Sequence, residues 1–269
     1  MTSLLLLLFV AAPPPAEPPR DKLRFGVDYR WWGRNLQFSG APRLTSVSEG
    51  PQPTGVTFDI QWFPAAHFVD DLRADLGLTV RADIAPEFML NPGNGSSYKA
   101  SVARMRTGLM FRVPFHHAEP SLHLGFQAFE ATTALRASDG TPRPRLPNVS
   151  LTGPRLGLGF RLLEFWRVTF DVGVGATFLL TTGELGSLAY FPGAKGNAFD
   201  GNLGLAFRTW SFLEVRIGVD VTMHSLTLAT GVSATDAYYG ITLGLIFKGV
   251  PLPGNPVRGP AGENDQSSR

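Results

Sequence analysis

Guanidinium and carboxylate groups recur along this chain at even spacing, so that on a strand they share one face and can meet as planar, bidentate pairs. The set comprises Arg24, Asp28 and Arg30, then Asp59, then Arg73, Asp75, Arg81 and Asp83, then Arg104, Arg106 and Arg112. It continues through Arg155, Arg161, Asp171, Arg208, Glu214, Arg216 and Asp220. Scarcely any Lys accompanies them, and Gly occupies many positions of the same parity, as at Gly26, Gly77, Gly108 and Gly157. Arg paired with carboxylate, with Gly leaving room, suits a crowded enclosure better than a water-facing surface. Such a set offers a structural network of ion pairs that plugs a narrow space or, because Arg is in excess, a small passage favouring anionic solutes.

Other chemistries find less support. His224 and Ser225 are adjacent, so on a strand they face opposite sides and form no nucleophile–base pair. His224 and Asp220 share a face but lie roughly 13 Å apart along a strand. His116 and His117 have no carboxylate-rich ligand spacing around them and read as a surface pair. No Gly-Lys-Ser/Thr cradle for phosphate is present. The sequence has no Cys, which excludes a thiol nucleophile, a cysteine zinc site and an iron–sulfur cluster. No catalytic, cofactor-binding or metal-ligating residue is assigned. With 24 basic against 22 acidic residues and no clustered patch, the chain carries no signature of nucleic-acid binding.

The elements that must position the charged set are strands. Leu23, Phe25, Val27, Tyr29 and Trp31 alternate with Arg24, Gly26, Asp28 and Arg30, and the same period recurs down the chain. Val56 to Trp62, Leu72 to Ile84, Met105 to Phe115 and Leu122 to Phe126 carry it through the first half. Leu156 to Leu162, Val168 to Phe178, Leu203 to Phe207, Leu213 to Met223 and Tyr239 to Phe247 carry it through the second, giving about ten strands, with eight or twelve as alternatives. Connections run long, medium, long, short, long, very short, long, very short, medium; Glu164-Phe165-Trp166 and Thr209-Trp210-Ser211 are the tightest. Up-and-down neighbours with one tight end and one loopy end describe an antiparallel meander closed into a barrel.

Volume decides which face looks inward. Ten strands with about five large apolar residues each present roughly 50 to bury, whereas a packed eight-stranded interior takes about a dozen. The apolar face therefore points outward, into lipid, and the charged set lines the lumen. Aromatic residues gather at strand ends, as belts at two membrane interfaces would require: Phe63, Phe115, Phe165, Trp166, Trp210 and Phe212 at the tight end, Trp31, Trp32, Tyr190, Phe191, Tyr238 and Tyr239 at the loopy end.

The apolar run at 4–12, LLLLLFVAA, is too short to span a bilayer as a helix and is followed by Pro13-Pro14-Pro15. Residues 1–16 read as a secretory signal, 17–22 as a Pro-rich spacer, 23–247 as the barrel and 248–269 as a disordered Pro/Gly-rich tail.

In these features the chain resembles the transmembrane β-barrel proteins of Gram-negative outer membranes, of the small porin-like, monomeric type. Its closing strand, Tyr238-Tyr239-Gly240-Ile241-Thr242-Leu243-Gly244-Leu245-Ile246-Phe247, is similar to their C-terminal assembly signal, although a tail follows the final Phe. The resemblance implies an exported outer-membrane protein with periplasmic termini and tight turns, in contact with outer-membrane lipid and the barrel-insertion machinery. Such barrels include hydrolases, but the residues weighed above assign no enzyme, leaving a role as a plugged or narrow pore or, through the long loops, in surface interaction, with an outer-membrane hydrolase the remoter alternative.

Overall fold

The protein is described from a computed structural model covering residues 21–249, excepting 42, 70, 71, 92–94, 114, 116, 117, 138, 143, 144 and 166, and excepting the side chains of 53, 54 and 163–165. The signal, most of the spacer and the tail read from the sequence lie outside the described residues, as do His116, His117, Trp166 and the side chain of Phe165.

Ten strands follow one another: β1 (Leu23–Ser39), β2 (Val47–Trp62), β3 (Leu76–Leu90), β4 (Tyr98–Arg112), β5 (Ala118–Thr133), β6 (Val149–Phe165), β7 (Val168–Leu179), β8 (Lys195–Trp210), β9 (Leu213–Ala229) and β10 (Val232–Lys248). Each pairs antiparallel with its sequence neighbours, and β1 pairs with β10 from Arg24↔Lys248 to Ser39↔Ser233, closing the ring. Closure removes every free sheet edge, the condition for a strand structure to cross a lipid phase. Among the described residues no helix is long and apolar enough to cross a membrane.

The alternation read from the sequence sets the two faces. Tyr29, Ile60, Leu78, Leu109, Leu124, Leu158, Phe207, Ile217 and Leu243 stand exposed on the outside, while Arg30, Asp83, Arg104 and Arg112 are buried within. The apolar band faces outward all round the barrel, as the volume argument requires.

Several strands run further toward the loop end than the alternation showed, as β2 does from Val47 rather than Val56 and β8 from Lys195 rather than Leu203. The third strand begins at Leu76 rather than Leu72, because Leu72–Asp75 forms a 3-10 turn. That turn and another at Pro64–His67 fill the 13-residue connection between β2 and β3, so the end of the barrel holding the first and last strand termini is not uniformly tight. Conversely, β9 and β10 are joined at the opposite, loop end by Thr230 and Gly231 alone. Gly231 takes φ +74°, and the two-residue hairpin demands that left-handed geometry.

Four belt assignments also fail, Phe191 among them, since it packs against the interior apolar cluster. Trp32 is 2% exposed, Tyr238 1% and Phe63 0%, all inside the barrel. Parity explains the first two: Trp32 is two residues from both Arg30 and Arg34, and Tyr238 two from Asp236, so each shares the inward face. Phe63 is drawn in by the 3-10 turns beneath it.

Candidate functional site

The interior is stacked in three layers. At the terminal end, Phe63 packs with Ala66, Ala74 and Met110, and the Arg112 guanidinium lies 3.7 Å above the Phe63 ring. Asp75, delivered by the 3-10 turn, accepts from Arg112 Nε at 3.2 Å.

The middle layer is ionic. Asp83 is its hub, accepting from Arg30 at 2.9 Å, from the Thr57 hydroxyl at 2.7 Å, from Arg81 at 3.2 Å and from Arg104 at 2.6 Å. Asp220 accepts from Arg30 and, at 3.1 Å, from Arg104. Asp200 takes both Nε and Nη2 of Arg155, at 3.0 and 2.7 Å, with Arg106 at 3.4 Å. Asp28 is gripped in the same two-pronged manner by Arg216, which also reaches Asp59 at 3.9 Å. Toward the terminal end Arg24 bonds Asp21 at 2.8 Å and Glu119 at 3.1 Å, and Arg161 bonds Glu214 at 3.0 Å with Asp171 at 3.4 Å. Burial tends to raise the Asp21 carboxyl, but the charges of Arg24 and Lys248 outweigh it and hold the group below the usual carboxylate range.

Backbone room is part of this layer. Gly157 and Gly175 oppose one another across β6 and β7, and Arg155 lies flat over both. A Cβ at Gly157 would stand 2.7 Å from the guanidinium, and one at Gly175 2.2 Å.

The upper layer, toward the loops, is an apolar plug. Trp32, Leu36, Phe88, Phe129, Leu146, Leu185, Leu226 and Tyr238 form one buried cluster across the barrel. Trp32 is its floor, with the Arg30 guanidinium 3.9 Å below the ring centroid. Phe129 on β5 meets Tyr238 on β10 at 4.8 Å and His224 on β9 at 4.5 Å. One ion pair is embedded here: Arg34 donates twice to Asp236, at 3.0 and 2.8 Å, and the Tyr238 hydroxyl adds a third bond at 3.1 Å. Above, the loops are laced together by Ser96–Asp139 at 3.0 Å, Tyr98 to the Pro142 carbonyl at 3.0 Å and the Asn148 amide to Glu184 at 2.7 Å.

The structure brings together most of the charged residues named from the sequence, and sets Arg73 apart. Arg73 is exposed in the 3-10 turn before β3, because the strand that was to point it inward starts three residues later. Arg208 is half-buried near the terminal end of β8, where its backbone N–H donates to the Arg167 carbonyl at 2.8 Å. The sequence reading missed Glu119, Asp200 and Asp236, all buried partners of the network. Each lies on the inward parity just beyond the point where alternation was read to begin, so extending the period would have found them. His224 is fully buried, with Ser225 exposed on the opposite face, and no group of three or more metal-ligating side chains occurs among the described residues.

A closed antiparallel barrel, apolar outside and ionic within, defines the fold of the outer-membrane β-barrel proteins. Among solved structures the chain is similar to the outer membrane protease OmpT from Escherichia coli, with 8% identity and a TM-score of 0.50, covering 87% of this chain and 98% of that one. It is also similar to an anion-selective porin from Comamonas acidovorans, at 10% identity and TM-score 0.32 over 86% of this chain and 57% of that one. OprG from Pseudomonas aeruginosa matches at 11% identity and TM-score 0.31, over 85% and 97%. At these identities the likeness concerns the fold alone. No protein-family model matches the sequence, and no curated protein does.

Proposed function

We propose that this protein is an exported, integral barrel of the Gram-negative outer membrane that acts as a closed, non-enzymatic body, its charged interior serving as a structural plug. Its termini face the periplasm, its apolar band contacts outer-membrane lipid, and the barrel-insertion machinery is its assembly partner. The reading rests on one observation: the interior is bridged from wall to wall. Arg104 on β4 bonds Asp220 on β9, and in a ring of ten those strands are diametrically opposed. The apolar plug above carries the same argument, since Phe129 and Tyr238 also come from opposite strands. A solute on this route must break ion pairs already desolvated and then displace aromatic rings. Planar-bilayer recording on refolded protein tests the proposal. Absence of unitary conductance is the expected result; steady anion-selective steps would overturn it in favour of a narrow pore.

The laced loops favour a second reading, in which the barrel anchors a surface-interaction platform. Loop deletions that spare insertion but abolish binding to a surface ligand would support it.

A further inference from the structure

Within the ionic layer lies a cavity of about 170 Å³. Six guanidinium groups line it, those of Arg24, Arg81, Arg106, Arg155, Arg161 and Arg216, against the carboxylates of Asp59, Glu119 and Asp171. Those three carboxylates already face Arg partners, at 3.9, 3.1 and 3.4 Å, so the cavity offers nothing to a cation.

The positive charge left over is concentrated at one level. Arg30, Arg81 and Arg104 share Asp83 and Asp220, while Arg106 and Arg155 share Asp200. With Arg216, Asp28 and Asp59 of the same layer included, six cations meet five anions, and the surplus lies beside Arg106 and Arg155, where Asp200 alone serves two guanidinium groups. Arg81 and Arg106 moreover stand directly opposite one another in the β3–β4 register, an arrangement of like charges that ordinarily destabilises a sheet. Both line the cavity, and their side chains keep 17% and 13% exposure although they lie in mid-strand deep in the barrel. That exposure is to the cavity itself. Gly108 and Gly125, paired across β4 and β5, line the wall beside Arg106 and leave it without side-chain bulk.

We infer that this cavity is a binding site for a small free oxyanion of the phosphate or sulfate class. The inference rests on the reading of the barrel as closed at its loop end. A tetrahedral oxyanion neutralises the local excess and accepts hydrogen bonds from several guanidinium groups at once, each of which carries five donors. Size agrees: a protein cavity of about 150 Å³ accommodates benzene, so five heavy atoms and a water fit here. A smaller cavity of about 50 Å³ shares Arg24, Asp59, Gln61, Arg161, Asp171 and Arg216 with the larger one and adds Gly26 and Ile246, near the terminal ends of β1 and β10. The two cavities thus run toward the terminal end, beneath the apolar plug.

Calorimetric titration of the refolded full-length protein with sodium phosphate, at constant ionic strength set by sodium chloride, tests the site. Saturable one-site binding is expected, weakened at least ten-fold by Arg106→Gln and unchanged by Arg208→Gln, which lies away from the cavity. Arg106→Gln removes one of two opposed like charges, so the barrel is expected to keep its heat-modifiable gel migration. If that variant does not fold, Arg81→Gln, which relieves the same opposition, takes its place in the titration. No saturable binding to the folded wild type, or unaltered binding by a folded cavity variant, overturns the inference. So does equally potent competition by inositol hexakisphosphate, which is too large for the cavity and would place the anion on the rim. Conductance is read separately: a conducting wild type would overturn the closed barrel while leaving the titration to decide the cavity.

Discussion

Arg104 and Asp220 meet at 3.1 Å across the full width of the barrel, one carried by β4 and the other by β9. A ten-stranded ring is wider than the eight-stranded one that ordinary side chains just fill, and long guanidinium arms close the difference. Buried ion pairs add little net stability over an apolar filling, but removing one partner strands a charge.

Asp83 is the position where that asymmetry is largest, since it serves Arg30, Arg81 and Arg104 together. Asp83→Ala is expected to cost about 3–5 kcal/mol, or to prevent folding outright. Urea unfolding of the protein in lipid vesicles measures it; a loss under 1 kcal/mol would mean that the network is dispensable.

Phe129 fills the plug between Tyr238 and His224. Truncation to Ala leaves a cavity in a dry, close-packed layer and is expected to destabilise by about 3–5 kcal/mol. The same unfolding assay applies, and a near-neutral result would show that the plug collapses to fill the space.

The glycine slot under Arg155 gives a prediction of coupling. Gly175→Ala pushes a methyl group to 2.2 Å from the guanidinium and forces it off Asp200, an overpacking cost of about 1–3 kcal/mol. In an Arg155→Ala background the same change is expected to cost much less. Strict additivity in the double-mutant cycle would refute the steric account.

Orientation of the apolar face is tested at Leu243, midway along the outward band of β10. Leu243→Arg is expected to lose about 2–4 kcal/mol in vesicles, as lipid-facing cations do near the midplane. A neutral substitution there would indicate a water-facing surface.

Asp139 is expected to make the contacts at the loop end acid-sensitive. Its carboxylate accepts from the Thr141 backbone N–H at 2.8 Å and from the Ser96 hydroxyl at 3.0 Å; the Thr141 bonds foremost hold it below the ordinary Asp value of 3.8. A lowered carboxylate contributes fully above its unfolded value and loses that contribution as pH falls through the folded one. Hydrogen exchange at the Thr141 amide, corrected for intrinsic rates, is expected to show constant protection at pH 5 and above, declining only below 3.8. A decline already complete by pH 5 would point to another group.

Strand number, face polarity and closure were legible because a period of two persists through nearly every strand, and an outward Leu such as Leu158 or Leu243 has only one parity to occupy. Local ends were not. Leu72 obeys the same parity as Leu76, so alternation alone could not show that the chain turns there and carries Arg73 out to solvent. Trp32 looked like an interfacial residue by type, yet Gly55, the partner of Arg30 on β2, is what admits the indole: a Cβ there would stand 2.3 Å from Nε1. Pair identities such as Arg104 with Asp220 depend on barrel diameter and stagger, which no single strand encodes.

Wall-to-wall pairing also bears on how the molecule is assembled. Arg104 keeps Asp83 on the adjacent strand, but Asp220 meets Arg104 and Arg30 only once the β1–β10 seam closes the ring. Ring closure therefore completes the cross-barrel pairs at a single step, and a hairpin-sized fragment of this chain contains none of them.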